Sequence, residues 1–166
     1  ALLKDIERQS HSSATFTVVM GRRRVGKTAL IMRSLQSVSH AYLFVSKDSE
    51  AMLCRKFQEV LETQLDMHIY GTITRFKDLF EMIMRESTLR PISIVLDEFQ
   101  NLQKINSAIF SEMQDIWDRY HSRSHINLIT SGSITSLMKS IFEDENQPLY
   151  GRPTHKFILR PFTIEV

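Results

Sequence analysis

Two hydrophobic patterns alternate along the chain. Short runs of aliphatic, β-branched and aromatic residues occur at FTVVM (16–20), AYLFVS (41–46), ISIVLD (92–97), INLITS (126–131) and HKFILR (155–160), and each predicts a strand. Between them, apolar residues recur at helical spacing: Leu53, Phe57, Val60, Leu61 and Leu65 form one stripe, and Phe76, Leu79, Phe80 and Ile83 a second. Ile105, Ile109, Met113, Ile116 and Tyr120 mark a third, and Ile134, Leu137, Met138 and Ile141 a shorter fourth. One apolar stripe per helix is what a packed layer requires, so these stripes are read as core faces and not as ligand boxes. HIYGTIT (68–74) and ENQPLYGRP (145–153) interrupt the periodicity and predict loops.

Strands separated by helices predict an α/β fold. ISIVLD is apolar at nearly every position, as expected of a strand buried on both faces, so the sheet is predicted to be parallel and covered by helices on each side. In such sheets ligands bind beyond the carboxyl ends of the strands. No internal repeat, low-complexity tract or Pro/Gly-rich linker divides the chain.

Composition narrows the picture. The chain has 166 residues, 42% of them hydrophobic, which is long enough for one domain burying roughly 70% of its unfolded surface. Its 21 basic and 19 acidic residues give a net charge of +2, too near balance to indicate a nucleic-acid partner by charge alone. No apolar run approaches the ~18 residues that a membrane span needs, and the charged start ALLKDIERQS is unlike a signal peptide. A soluble, cytoplasmic protein with no membrane partner is expected. The single cysteine, Cys54, excludes a disulfide within the chain and sits among apolar helix positions.

The candidate chemistry begins at GRRRVGKT (21–28), which satisfies G-x-x-x-x-G-K-[ST] at every fixed position. A chance match in a chain this long is expected in about half a per cent of cases. The motif follows the strand FTVVM and opens a helix at ALIMRSL, the context its mechanism needs. Gly21 and Gly26 let the backbone wrap a triphosphate, and the N–H groups of Arg22, Arg23, Arg24, Val25 and the helix start through Ala29 point at it. Lys27 is expected to neutralise the β- and γ-phosphates, and Thr28 to offer its hydroxyl to Mg²⁺. The three arginine side chains occupy the variable positions, as helpers at most.

Asp97 and Glu98 end the apolar strand ISIVLD, where carboxylates are costly unless paired or bound to a cation. Asp97 is assigned to the Mg²⁺ water shell opposite Thr28, and Glu98 to activation of the attacking water. Asp97 is followed by EFQ and no N-K-x-D occurs, so adenine is expected over guanine. The strand INLITS leads into SGS: Ser131 is assigned to sensing the γ-phosphate, and Ser133 to capping the following helix.

GRRRVGKTAL, LDEFQNL, LITSGSITSLM and PLYGRPTHKFILRPF, in this order, resemble the archaeal-type P-loop ATPases of the AAA+ and STAND lineage. The resemblance covers about residues 16–163 and implies a three-layer fold with a five-stranded parallel sheet of order 5-1-4-3-2, in which an extra strand separates the phosphate-loop strand from the Asp-Glu strand. It implies that Arg152, in the loop before the last strand, reaches a γ-phosphate of its own or a neighbouring subunit, against the alternative that it anchors its loop. It also implies a core domain over 16–163 after a helical lead-in over 1–15. The lid and C-terminal domains such proteins carry do not follow within these residues.

The expected function is thus an ATP- and Mg²⁺-dependent hydrolase core that switches attached C-terminal domains. A motor or loader of a DNA-processing assembly and a non-catalytic nucleotide-dependent interaction module are the alternatives. A protein client, DNA and a second copy of the chain are the partners these readings allow.

Overall fold

Strand β1 (Thr15–Met20) is buried at all six positions. The computed structural model describes residues 13–161, so most of the lead-in over 1–15 and the last two residues of the core expected over 16–163 lie outside the described residues. With β2 (His40–Phe44), β3 (Ile92–Asp97), β4 (Ile126–Gly132) and β5 (His155–Ile158), β1 forms a five-stranded sheet of order β2-β3-β4-β1-β5. Every pairing is parallel. Read from β5, the order is the expected 5-1-4-3-2, with β4 between β1 and β3. Parallel neighbours need crossovers, which the helices supply: α1 (Lys27–Ser34), α2 (Glu50–Gln64), α3 (Phe76–Glu86), α4 (Leu102–Ile105), α5 (Ile109–Tyr120) and α6 (Thr135–Glu143).

Strand alternation sorts the side chains into two cores. Phe16, Val18, Met20, Ile94, Leu96 and Leu128 face one way and pack with the apolar stripes of α2, α3, α5 and α6. Val19, Val95 and Ile129 face the other way and meet Ile31 and Leu35 around α1, with Tyr42 and Leu159 at the margin. The sheet is therefore the middle of three layers. The larger core is held by interlocking aromatic rings: Phe99 stacks on Phe110 and Phe142 at centroid distances of 5.2 and 5.5 Å, and Phe16 meets Trp117 edge-on at 5.2 Å.

The third apolar stripe differs from its expectation. Ile105 ends α4 and a separate helix, α5, starts at Ile109. Asn106 is extended (φ −154°, ψ 117°), and its side-chain oxygen accepts the Ala108 N–H at 3.0 Å, a local turn that competes with continuing the helix. Ile105 still packs against the larger core, so periodicity placed the residue correctly while missing the break.

All five strands point their carboxyl ends the same way. The Lys27 end of α1, the β3 exit at Asp97 and the β4 exit at Gly132 consequently converge on one rim of the sheet.

Candidate nucleotide site

A cavity of about 690 Å³ opens at this rim, lined by Arg23, Arg24, Gly26, Lys27, Thr28, Ala29, Phe44, Ser46, Lys47, Asp97, Glu98, Asn101 and Ser133. Its size falls in the range of small-molecule sites. Gly26 (φ 90°) and Arg24 (φ 64°) are both left-handed, the alternation that turns successive N–H groups into a concave, anion-binding wall. Gly21 lies beneath the loop, where an added Cβ would come within 2.8 Å of the Leu159 carbonyl oxygen.

Lys27 is buried, and its ammonium donates to the carbonyls of Gly21 at 2.6 Å and Arg22 at 2.7 Å. Burial lowers its pKa, against the opposing pull of Glu98 and Asp97, with Arg23 adding repulsion. The loop thus carries a desolvated cation whose charge a phosphate anion would stabilise. Of the residues expected to bind nucleotide, Arg23, Arg24, Gly26, Lys27, Thr28 and Ala29 line the cavity; Gly21, Arg22 and Val25 build the loop without lining it.

On the cavity lining, Thr28 donates its hydroxyl to Asp97 Oδ2 at 3.3 Å. A hydroxyl and a carboxylate are hard oxygen donors, and this adjacent pair suits a hard divalent cation that keeps most of its waters. The backbone N–H of Glu98 donates to Asp97 Oδ1 at 2.9 Å, and the phenol of Tyr42 donates to Oδ2. Burial first, then the Asp97 contact, holds the Tyr42 phenol far above its ordinary pKa.

Glu98 sits at φ 55°, ψ 44°, a left-handed conformation uncommon for a residue with a side chain. It turns the chain sharply out of β3 into a short 3-10 turn, Phe99–Asn101, pinned by fully buried Phe99 and by the Asn101 amide, which donates to the Val45 carbonyl at 2.9 Å. Strain of this kind persists where surrounding contacts over-determine it, and functional sites are where it collects. The Glu98 carboxylate receives two donors on Oε2: the Gln100 amide at 2.8 Å and the Ser133 hydroxyl at 2.9 Å.

The two serines of SGS are placed differently from expectation. Ser133 does not cap α6, whose N-cap is Ile134 with no side-chain cap bond; its hydroxyl goes to Glu98 instead. Ser131 pairs in register with Asp97 on the neighbouring strand, is fully buried, has no hydrogen-bond partner for its hydroxyl, and does not line the cavity. Between them, Gly132 lies so close to its neighbours that a Cβ would meet Met138 Sδ at 2.4 Å and Gln100 Oε1 at 2.5 Å.

Arg152 is not among the cavity residues. Its Nη2 and Nε reach the Asp118 carboxylate at 2.8 and 3.2 Å, and Nη1 donates to the Tyr150 carbonyl at 3.0 Å. This is the loop-anchoring arrangement, a bidentate pair with α5. Tyr42, Phe44 and Lys47 belong to the site without any motif marking them, and Gln100 and Asn101 lie within LDEFQNL with no role assigned to them from the sequence; the one sequence signal for Tyr42 is its period-two position on a strand.

Residues 2–166 match the model of an ATPase domain found predominantly in Archaea. An uncharacterized protein of Methanocaldococcus jannaschii is 29% identical over 155 residues, which cover 93% of this chain and 33% of that protein. Among solved structures, a Walker-type ATPase of Pyrococcus abyssi superposes with a TM-score of 0.65 at 18% identity, over 97% of this chain and 54% of that one. Cdc6p from Pyrobaculum aerophilum (TM-score 0.61, 13% identity, 98% of this chain, 45% of that one) and the Orc1 protein of Aeropyrum pernix, solved with DNA (0.61, 15%, 97% and 44%), share the fold. The chain thus spans about a third of its curated relative and about half of these structures.

Proposed function

From the premise that this chain belongs to the family of ATPase domains found predominantly in Archaea, we propose that its rim cavity binds ATP with Mg²⁺ and hydrolyses it slowly, and that the state of the nucleotide switches attached domains in a longer protein. The carrying observation is the convergence, on the lining of one cavity, of the buried Lys27 ammonium and the Thr28 hydroxyl with the Asp97 and Glu98 carboxylates.

The phosphates would lie along the left-handed loop at Arg24 and Gly26, with Lys27 giving up its bonds to the Gly21 and Arg22 carbonyls for phosphate oxygens. Thr28 and Asp97 would hold Mg²⁺, which when bound supplies charge neutralisation at the phosphates. Glu98 would accept the proton of the attacking water, its carboxylate oriented by Ser133 and Gln100. Ser131, at the polar end of β4, keeps on sequence grounds the role of registering the γ-phosphate, its hydroxyl having no other hydrogen-bond partner among the described residues.

The domain reading follows the same line: a lead-in over 1–15 and one ATPase core over 16–163, with lid and C-terminal domains belonging to the longer protein. A cytoplasmic location accords with this reading; no helix among the described residues is long and apolar enough to cross a membrane. A DNA-processing role is the second reading, favoured by the exposed side chains of Arg22, Arg23 and Arg24 at the rim. A DNA affinity that falls steeply with salt, with turnover rising on DNA, would select it.

Calorimetry with ATP and GTP, with and without Mg²⁺, on this chain and its Lys27→Ala variant tests the site. Magnesium-dependent ATP binding that disappears in the variant is the expected result. GTP binding as tight as ATP, or binding unaffected by loss of Lys27, overturns the assignment.

A further inference from the structure

Three donors converge on the Asp97 carboxylate, and they differ in kind. The Glu98 N–H on Oδ1 is backbone, and the Thr28 hydroxyl on Oδ2 is itself a candidate cation ligand. The Tyr42 phenol on Oδ2 is neither. It comes from the edge strand β2, where Tyr42 pairs in register with Val95, two residues before Asp97 on β3. Strand alternation puts Tyr42, Val95 and Asp97 on the face that carries α1, so the ring lies along the sheet with its hydroxyl at the carboxylate. The ring packs at the edge of the small core formed by Val19, Ile31, Leu35, Val95 and Ile129. A phenylalanine would fill the same apolar place but lack the hydroxyl, which meets Asp97 and lies beside the Thr28 hydroxyl.

We propose that Tyr42 is a positioning residue that fixes the Asp97 carboxylate in the orientation needed to hold a divalent cation beside Thr28. The Glu98 N–H holds Oδ1, and the phenol from the neighbouring strand holds Oδ2, so that both oxygens of the carboxylate are fixed. Outer partners of this kind set the affinity of a cation site without touching the ion, and their loss typically lowers it about 10- to 100-fold. The inference rests on the magnesium-nucleotide reading of the cavity, and its test separates the two.

The measurement is the affinity of Mn²⁺ for the protein with ATP, read from the electron paramagnetic resonance of free Mn²⁺, beside the ATP affinity without any divalent cation. In Tyr42→Phe, the Mn²⁺ affinity should fall about 10-fold or more while metal-free ATP binding stays as in the parent and thermal unfolding stays cooperative, its midpoint lowered by no more than the loss of one hydrogen bond to a charged group. An unchanged Mn²⁺ affinity overturns the proposal and leaves the nucleotide reading standing; a parent protein without ATP-linked Mn²⁺ binding overturns both. A second arm places Tyr42→Phe in an Asp97→Asn background. No further loss there supports action through Asp97, whereas a full additional loss means that Tyr42 works by another route.

Discussion

Ser133, at the exit of β4, donates its hydroxyl to Oε2 of Glu98, at the exit of β3, across 2.9 Å. The Gln100 amide reaches the same oxygen, so two donors orient the carboxylate from one side and leave Oε1 outside the pair. Removing the serine hydroxyl should leave a carboxylate that is present but less well aimed. Ser133→Ala is expected to lower ATP turnover about 10-fold, the rate equivalent of one weakened hydrogen bond to a charged group, with ATP affinity unchanged. A matched pair of single-turnover and binding measurements checks this, and a loss of affinity instead would make Ser133 a phosphate contact.

Glu98 itself is expected to act on the proton of water. Glu98→Gln keeps the shape of the side chain and an oxygen for Ser133 to donate to, yet cannot take up a proton. Turnover should fall about 10²- to 10⁴-fold while ATP binding persists. Undiminished turnover in a purified variant would remove Glu98 from the chemistry.

Gly132 lets three elements meet. A methyl group there would collide with Met138 of α6 and with the buried Gln100 amide oxygen, which has no hydrogen-bond partner. Met138 is flexible and can yield; Gln100 yields only by turning its amide away from Glu98. Gly132→Ala is therefore expected to resemble a loss of the Gln100 contact, with slowed turnover, retained nucleotide binding and a destabilisation of about 1–3 kcal/mol from overpacking. Turnover together with chemical unfolding distinguishes this from simple loss of the fold.

The sequence carried the fold and half of the site for a physical reason. The phosphate loop and the Asp97–Glu98 pair are contiguous because a strand end and the turn after it deliver their chemistry in consecutive residues. Strand order followed from a family resemblance and agrees with the structure at every position. Tyr42 is different in kind: it matters through a partner on another strand, and neither spacing nor composition shows which tyrosine faces a carboxylate. Ser133 shows the same limit. Its place before a helix suggests a cap, but Glu98, turned by its left-handed backbone, offers a charged acceptor, and the hydroxyl goes there.

Arg152 offers a sharper contrast between motif and geometry. Its guanidinium is engaged by Asp118 through two nitrogens, away from the cavity. For hydrolysis by the isolated core, Arg152→Ala should leave the rate and ATP affinity within experimental error, and Asp118→Ala should do the same. Since the pair is partly exposed, the effect on stability should stay at about 1 kcal/mol or less. A turnover that rises with protein concentration and is lost in Arg152→Ala would instead show that the arginine leaves Asp118 to serve a neighbouring copy.

Cys54 provides a readout of the fold independent of nucleotide. Its thiol is fully buried on α2, and burial, reinforced by Glu50 and Asp78, pushes its pKa up to about 12. At pH 8 only about one part in 10⁴ of the folded protein would carry a thiolate, so a thiol reagent should react at the rate of unfolding. The sign of the stability effect follows from the raised pKa. The folded thiol keeps its proton where the unfolded one loses it, so its contribution is full below about pH 9 and declines as pH rises from there toward 12. Denaturant midpoints measured at pH 8 and at pH 10.5 should therefore separate more in the parent than in Cys54→Ala; equal separations would mean that the thiol ionises as readily inside the fold as outside it.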